Sequence, residues 1–431
     1  MNPLNNNNRT NGFAVRPVQE FTAACKNLVD MRIGCDLLND IFRAYYDARR
    51  HKRNTKSQLA FEMDLEHNLI ELYEQIRDRT YRPSPGICFI TEHPVKREIF
   101  ASPFRDRVVH HLLFNYLAPL FECRMIHDSY SCRKGKGTSL GIERFEHHIR
   151  SCTRNYTRSA YILKLDLRGY FMSIDKRLLY SIIERTVGRK KGVADFDYEL
   201  TDFLLRAILF RNPVENCRII GSLSDWNDLP PSKSLLKSPP GVGLPIGDLT
   251  SQLFSNIYLD MLDEYAKRTL KCRHYGRYVD DFYIVHSSRN YLRGLIPRLR
   301  DYLSSELHLT LHPDKIVLQH STKGVSFLGA IVRPHRRYPA MRTVGQFRKA
   351  MKRLEQECYE AEPSFECLAR MLPVINSYCG HLMHFKAYRI LDRQFGASPL
   401  RKYFRFSRDY AKATIKTGYK RPSGENIRSF D

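Results

Sequence analysis

The sequence is poor in what a membrane or secreted protein needs. No run of ~18 apolar residues could span a bilayer. The first segment is Asn-rich and polar where a signal peptide would be apolar. The eleven cysteines are an odd number, scattered with no Cys-x-x-Cys pair. This argues against a disulfide framework and makes free thiols in a reducing, cytoplasmic compartment the expectation. The nearest grouping of metal-ligand residue types is Cys379, His381 and His384. It fits no zinc spacing and is expected to be helix packing. Tryptophan is reduced to Trp226 alone, and no repeat of solenoid period is present. Acidic side chains are a minority, 46 Asp and Glu against 70 Lys and Arg, for a net charge of +24. Such an excess points to a polyanionic partner, nucleic acid ahead of anionic membrane, bound in a salt-sensitive way. With 431 residues and 42% hydrophobic content, two or three domain-sized units with a sizeable core are allowed.

Apolar periodicity predicts helices within residues 32–80, on Leu37, Leu38, Ile41, Phe42 and Tyr45, then on Leu65, Leu69, Leu72 and Ile76. After a break at Tyr81 to Pro85, strands are predicted at Ile87 to Ile90 and Lys96 to Ile99, around a turn at His93 and Pro94. Helices are predicted at Phe104 to Phe121, Tyr198 to Phe210, Thr250 to Leu262 and Leu292 to Leu303. Ala160 to Leu167 reads as a strand, and Arg273 to His286 as a hairpin. Ile316 to Gln319 with Ser326 to Val332 reads as a further strand pair. Residues 211–243 hold five Pro and Trp226 and read as a long loop or insertion. From Val344 onward the pattern is helical and basic.

Two pieces carry chemistry. Tyr278-Val279-Asp280-Asp281 sits between apolar strands, with two adjacent carboxylates at a hairpin tip. Each raises the other's pKa unless a cation lies between them. Alone, an Asp-Asp turn is as readily structural. In Ile162-Leu163-Lys164-Leu165-Asp166, a lone Asp ends an apolar strand, where it is costly unless paired or metal-bound. A helix cap or a salt bridge is the bland alternative. Together, Asp166, Asp280 and Asp281 form an all-oxygen set suited to two magnesium ions ~4 Å apart. One ion would activate a primer 3′-hydroxyl and the other would hold a triphosphate.

These motifs resemble the palm of reverse transcriptases: Asp166 followed by Gly169, Tyr170 and Phe171, then Tyr278-Val279-Asp280-Asp281. Between them stands Ile246-Gly247-Asp248-Leu249-Thr250-Ser251-Gln252, where bacterial and intron enzymes usually carry Gln-Gly-x-x-x-Ser-Pro. The Ile246 and Gln252 variant is similar to the enzymes of diversity-generating retroelements, bacterial or phage-encoded members of the group II intron-like superfamily. The Trp226 loop and Pro239-Pro240-Gly241 also look like that family.

The resemblance covers about Arg43 to Tyr403 and implies an α+β right-hand polymerase with fingers, a palm of antiparallel sheet backed by helices, and a helical thumb. The expected divisions are a flexible leader at 1–31, fingers at 32–158, palm at 159–342 with the 211–243 insertion, and thumb with a basic tail at 343–431. It implies catalytic Asp166, Asp280 and Asp281, with Lys315 near the leaving pyrophosphate, and metal ligation by those aspartates and the Leu167 carbonyl. For the incoming deoxynucleotide it implies Lys96, Arg97, Gly169, Tyr170, Phe171 as a steric gate, Ile246, Gly247 and Gln252. For nucleic acid it implies Arg105, Arg107, Tyr278, Phe327, Leu328 and Gly329 as a primer grip, and Lys386 and Arg389 on the thumb.

Core packing or solvated charge is the alternative for Phe171, Lys96, Arg97 and Lys315. Amphipathic packing is the alternative for most of the basic and aromatic residues after 386. The implied partners are a structured retroelement RNA, its RNA–DNA hybrid and a small, basic, pentameric accessory protein. Asp248 departs from the Asn more often expected, and its carboxylate would either repel the template phosphate or point to solvent. No RNase H or endonuclease pattern is visible. A retron- or defence-type reverse transcriptase and a silent RNA-binding scaffold are the rival readings.

Overall fold

The computed structural model describes residues 33–34, 36–50, 54–92, 95–215 and 217–419. The leader at 1–31, the turn at His93 and Pro94, and the end of the basic tail lie outside the described residues. In chain order the strands are β1 Ile87–Thr91, β2 Arg97–Ala101, β3 Tyr161–Asp166, β4 Arg218–Ile219, β5 His274–Tyr278 and β6 Asp281–His286. There follow β7 Val317–His320, β8 Val325–Phe327, β9 Ala330–Arg333, β10 Arg336–Pro339, β11 Phe404–Phe406 and β12 Ala413–Ile415. Among the described residues, strand pairs in the four sheets are antiparallel except for a short parallel contact of β4 with β1. The class is α+β, as the sequence predicts.

The residues fall into two compact units. The first comprises Met1–His127, Leu167–Tyr265 and Arg300–Leu311. Its centre is the helix Phe104–Glu122, with apolar side chains such as Val108, Leu112, Leu113, Leu117 and Phe121 buried around much of its circumference. The helix Leu37–Arg49 packs along it, capped by Asp36, whose carboxylate accepts from Asn39 N–H. The β1–β2 hairpin carries a separate apolar cluster of Cys88, Phe100, Met172, Trp226, Leu229 and Leu235. Residues 211–243 are therefore not a bare loop. Three short 3-10 turns and the buried Trp226 ring pack them onto that cluster.

The second unit comprises Asp128–Asp166, Ala266–Leu299 and His312–Asp431. Its four-stranded sheet runs β5-β6-β3-β7. The helix Thr138–Cys152 covers one face with Ile142, Phe145 and Ile149, against Ile162, Tyr283 and Val285 from the sheet. Here two expectations need correction. The segments Ile316 to Gln319 and Ser326 to Val332 do not pair with each other. β7 joins β3, whereas 325–332 is itself a hairpin, β8 to β9, that continues to β10. The turn lies at Leu328 and Gly329, both at positive φ (52° and 80°). A tight two-residue hairpin turn of this hand is usually marked by Asn-Gly or Asp-Gly, and Leu328 hid it. The C-terminal region is likewise not wholly helical. Its helices Met341–Glu360, Phe365–Met383 and Tyr388–Phe395 pack around Phe347, Met371, Ile375 and Phe395, but the β11–β12 hairpin closes that core. Cys379 is buried in this cluster, as expected for packing, and the described cysteines are free thiols.

Candidate active site

The acidic residues assemble on the second unit's sheet. β3 ends at Asp166 and β6 begins at Asp281, and the two are register partners across the antiparallel pair. β5 and β6 are joined through Val279 and Asp280, with Tyr278 opposite Asp281. Val279 sits at φ 54°, a left-handed conformation that is unusual for a β-branched residue. Side chains alternate along a strand, so Lys164 shares a face with Asp166. Lys164 Nζ lies 2.7 Å diagonally across from Asp281 Oδ1, and Lys315 Nζ donates to Asp166 Oδ1 at 2.9 Å. Lys315 comes from the 3-10 turn Pro313–Lys315, anchored where His312 N–H donates to the Asp166 carbonyl at 2.8 Å. Each of these two carboxylates thus has an ammonium partner. Burial pushes the Asp281 carboxyl up to about 6, with Asp166 and Asp280 adding to the rise and Lys164 opposing it.

A fully buried arginine supports the turn. Arg277 donates through Nη1 to the Val279 carbonyl (3.1 Å) and through Nη2 to Ser129 Oγ (3.2 Å). Beneath β6, the Tyr283 hydroxyl meets Tyr130 Oη and His148 Nδ1, each at 3.0 Å. Tyr130 Oη donates to Asp128 Oδ1 at 3.1 Å, and Arg144 Nε donates to the same carboxylate at 2.8 Å. Gly276 is needed there, because a Cβ would come within 2.6 Å of both tyrosine hydroxyls. This wired layer leaves β5 and β6 little freedom beneath the turn.

Among the described residues, no three His, Cys, Asp or Glu side chains form a ready-made metal cage. The chemistry of the donor set nevertheless fits a divalent cation. Asp281 Oδ1 is buried and accepts no well-formed hydrogen bond despite its nearby ammonium, a carboxylate oxygen with acceptor capacity to spare. Asp166, Asp280 and Asp281 supply oxygen only, the type magnesium prefers.

In the first unit, the Ile246 carbonyl accepts from Phe100 N–H at 2.8 Å, and the Ile246 side chain packs with Phe171 on the cluster carried by β1 and β2. Gly247 has φ 141°, and a Cβ there would run into the Phe100 carbonyl. Gly169 is left-handed at the start of the short helix Tyr170–Ser173, and Tyr170 is buried, its hydroxyl donating to the Ser255 carbonyl at 2.5 Å. Lys96 is half-buried between Glu92 and Asp228, at 3.8 and 4.0 Å, while Arg97 and Gln252 are exposed. Arg105 is committed within the fold. It donates to Asp106, Ser84 and the Arg82 carbonyl and lies 4.9 Å over the Tyr81 ring. Arg107 donates to the Ser102 carbonyl at 2.9 Å. Leu167 is buried and bridges Leu311.

In the second unit, Tyr278 is half-buried at the end of β5. The Phe327 ring is core, against Phe145 and Tyr283, so only Leu328 and Gly329 of the expected grip reach the surface. Lys386 and Arg389 are exposed, whereas Phe395, Tyr403 and Phe404 of the basic-aromatic stretch are buried. Asp248 requires a correction, because it neither faces solvent nor is free to repel a phosphate. It is buried, accepts from Ser102 Oγ at 2.7 Å and lies 3.5 Å from His110 Nε2.

The family profile described as reverse transcriptase (RNA-dependent DNA polymerase) matches residues 96–332, more than half of the chain. The chain belongs to the reverse transcriptase family. The enzyme class is RNA-directed DNA polymerase, and the fold is that of this family. Protein YkfC of Escherichia coli (strain K12) is similar at 22% identity over 329 residues, covering 68% of this chain and 77% of that protein. A putative COX1/OXI3 intron 2 protein of Saccharomyces cerevisiae is similar at 20% over 280 residues, covering 52% of this chain and 29% of that protein. Among solved structures, a telomerase from Candida albicans in complex with a telomeric RNA fragment aligns with a TM-score of 0.43 at 12% identity. It covers 77% of this chain and 63% of that one.

Four residues of this reverse transcriptase were not singled out in the sequence: Lys164, Arg277, Tyr283 and Glu98. Lys164 was legible in principle, since it precedes Asp166 by two on a strand and so shares its face. A charged Arg277 inside an apolar strand was a second usable signal. Nothing local marks Glu98, whose partners are more than a hundred residues away.

Proposed function

We propose that this reverse transcriptase copies a structured retroelement RNA into cDNA, with Asp166, Asp280 and Asp281 as the catalytic carboxylates. The observation that carries this reading is the pairing of Asp166 with Asp281 on adjacent strands beside the Asp280 turn. The three aspartates would hold two magnesium ions, with the Leu167 carbonyl as a further ligand. When bound, these ions supply activation of the primer 3′-hydroxyl and stabilisation of the leaving pyrophosphate. Lys164 and Lys315 keep Asp281 and Asp166 charge-balanced in the free protein, and Lys315, half-exposed on its turn, can reach a phosphate. Phe171 gates the sugar, Ile246, Gly247 and Gln252 face the templating pair, and Lys96 and Arg97 grip the triphosphate. Fingers, palm and thumb divide at about 158 and 342. The exposed cations of the thumb, Lys386 and Arg389 among them, track the RNA–DNA hybrid.

The subtype we favour is the mutagenic enzyme of a diversity-generating retroelement, which misincorporates opposite template adenine and works with a pentameric accessory protein. Ile246 supports it. A branched apolar side chain cannot offer the hydrogen bonds of a Gln, and its packing against the Phe171 cluster leaves no polar check at that position. The test is primer extension on RNA with magnesium and deoxynucleotides, with products sequenced. An Asp280→Ala, Asp281→Ala double variant, an Ile246→Gln variant, and added cognate RNA with accessory protein complete the set. Synthesis lost in the double variant, with adenine-directed errors reduced by Ile246→Gln, is the expected result. Accurate synthesis by wild type would favour a retron- or defence-type enzyme, and RNA binding without synthesis a scaffold.

A further inference from the structure

Glu98 is fully buried on β2, and its three hydrogen-bond donors all come from the 211–243 insertion. Trp226 Nε1 and Ser234 Oγ each donate to Oε2 at 2.7 Å, and Leu235 N–H donates to Oε1 at 2.5 Å. Hydrogen bonds to a buried carboxylate are charge-assisted and strong. They converge on one residue, so they fix the insertion's position and orientation together.

What the insertion then touches is the segment carrying Phe171. The Ser232 carbonyl abuts Gly169, so closely that any Cβ there would collide with it. Gly243 N–H, at the end of the insertion, donates to the Ile174 carbonyl at 2.8 Å, and Leu244 N–H, the next residue, donates to the Phe171 carbonyl at 2.8 Å. Trp226, Leu229 and Leu235 supply half of the six-residue apolar cluster, with Cys88, Phe100 and Met172, against which Phe171 and Ile246 pack. The backbone of Phe171 is thus bonded to the residue that closes the insertion, and its ring packs on the cluster that the insertion helps to form, while the insertion is held by Glu98.

We propose that the Glu98–Trp226–Ser234 latch is the positioning device for sugar selection, holding the Phe171 ring where it excludes a ribose 2′-hydroxyl. This inference rests on the polymerase reading above. Glu98 directly follows Lys96 and Arg97, so the strand that anchors the latch, with the residue before it, carries the cations assigned to the triphosphate. The latch acts through Phe171 and does not itself touch nucleotide.

The test uses the full chain on an RNA template–primer, measuring kcat/KM for a deoxynucleotide and for the ribonucleotide of the same base. Trp226→Phe deletes the Nε1–H donor but keeps a ring in the cluster. Ser234→Ala deletes one hydroxyl donor. Trp226 is the sole tryptophan, so its emission in Ser234→Ala reports directly whether the latch has loosened. The expected result is a deoxy-to-ribo preference reduced roughly 10-fold or more in Trp226→Phe, the scale on which a small misplacement of a positioned group acts. Ser234→Ala should show a smaller reduction with red-shifted emission, and template–primer affinity should be unchanged in both. If wild type discriminates and Ser234→Ala keeps the wild-type ratio despite shifted emission, the latch does not set selectivity and the inference falls while the polymerase reading stands. Equal losses for both sugars in Trp226→Phe, with an unchanged ratio in Ser234→Ala, would overturn it as a merely structural contact. A wild type that incorporates neither nucleotide would remove the polymerase reading and the inference with it.

Discussion

Arg277→Met is the substitution that most directly asks whether the Val279–Asp280 turn is held from behind. The guanidinium is fully buried and donates to the Val279 carbonyl and to Ser129 Oγ. Methionine keeps much of the side-chain volume and removes these bonds. Each hydrogen bond from a charged donor contributes ~1.5–3 kcal/mol, and burying an apolar chain in place of a charge returns part of that, so a net loss of about 2–4 kcal/mol is expected. For a unit of this size that is a fall in Tm of roughly 4–15 °C. The second consequence is local. Val279 is kept at φ 54° in a conformation costing of order 1–3 kcal/mol, which persists only while its surroundings enforce it. Without the Arg277 bond the turn relaxes, and Asp280 moves with it. The expected kinetic result is a fall in kcat of ~10²-fold with template–primer affinity unchanged, since a displacement of ~1 Å at a reacting centre has that effect. The assays are thermal unfolding and single-turnover extension at saturating deoxynucleotide. A variant with lowered Tm and wild-type kcat would refute the positioning argument and leave Arg277 as core packing. Unchanged Tm would refute the hydrogen-bond accounting itself.

Asp248→Asn should leave RNA affinity within about twofold and cost under ~1 kcal/mol, because the Ser102 bond survives. A several-fold gain in affinity in a binding titration would mean that the carboxylate faces the template. Gly247→Ala should lower stability by ~1–3 kcal/mol and raise nucleotide KM, because φ 141° and the Phe100 carbonyl leave no room for a methyl group; wild-type KM and Tm would contradict this. Burial holds the His111 imidazole down to about 4. The unfolded group, near 6.5, takes up its proton first, so stability is complete above about 6.5 and is lost as pH falls toward 4. Discounted for partial exposure, the loss is about 1–2 kcal/mol. His111→Gln should remove that share of the acid-induced fall in Tm between pH 7 and pH 5, and an identical fall in both proteins would refute it.

The legible parts of this fold were those with strong local periodicity. The helices around Ile41 and Leu72 declared themselves by apolar spacing, and the Asp166 strand and the Asp280 hairpin by their apolar, β-rich runs. The failures share a physical cause, which is that distant packing decided them. Leu328 adopts positive φ because β8 and β9 are both anchored in the core through Phe327 and Ala330, overriding the residue's own preference. Residues 211–243 look like a loop by composition, yet a single carboxylate on β2 gathers them into place. The β11–β12 hairpin was lost in a stretch whose aromatics read as a helical stripe, although Phe395, Tyr403 and Phe404 are core.

For the candidate site, the sequence made it readable that Asp166 ends one strand and that Asp280 and Asp281 sit at a hairpin turn, whereas the ammonium partners of Asp166 and Asp281 were not readable. Three aspartates on paired strands and the turn beside them need cations at all times, whether or not metal is bound. The fold supplies one ammonium from the strand itself and one from a turn far along the chain. The pairing of Lys164 with Asp281 followed from strand alternation and could have been foreseen. Lys315 reaches Asp166 only because β7 lies beside β3 and the turn before it is pinned to the Asp166 carbonyl. Lys315 is half-exposed while Lys164 is largely buried, so the two ammonium groups are not equivalent. The exposed one can leave its carboxylate at little desolvation cost, whereas the buried one leaves an uncompensated charge behind. It follows that Lys315 is the partner suited to yield when a cation or a phosphate arrives, and Lys164 the one that stays and opposes protonation of Asp281.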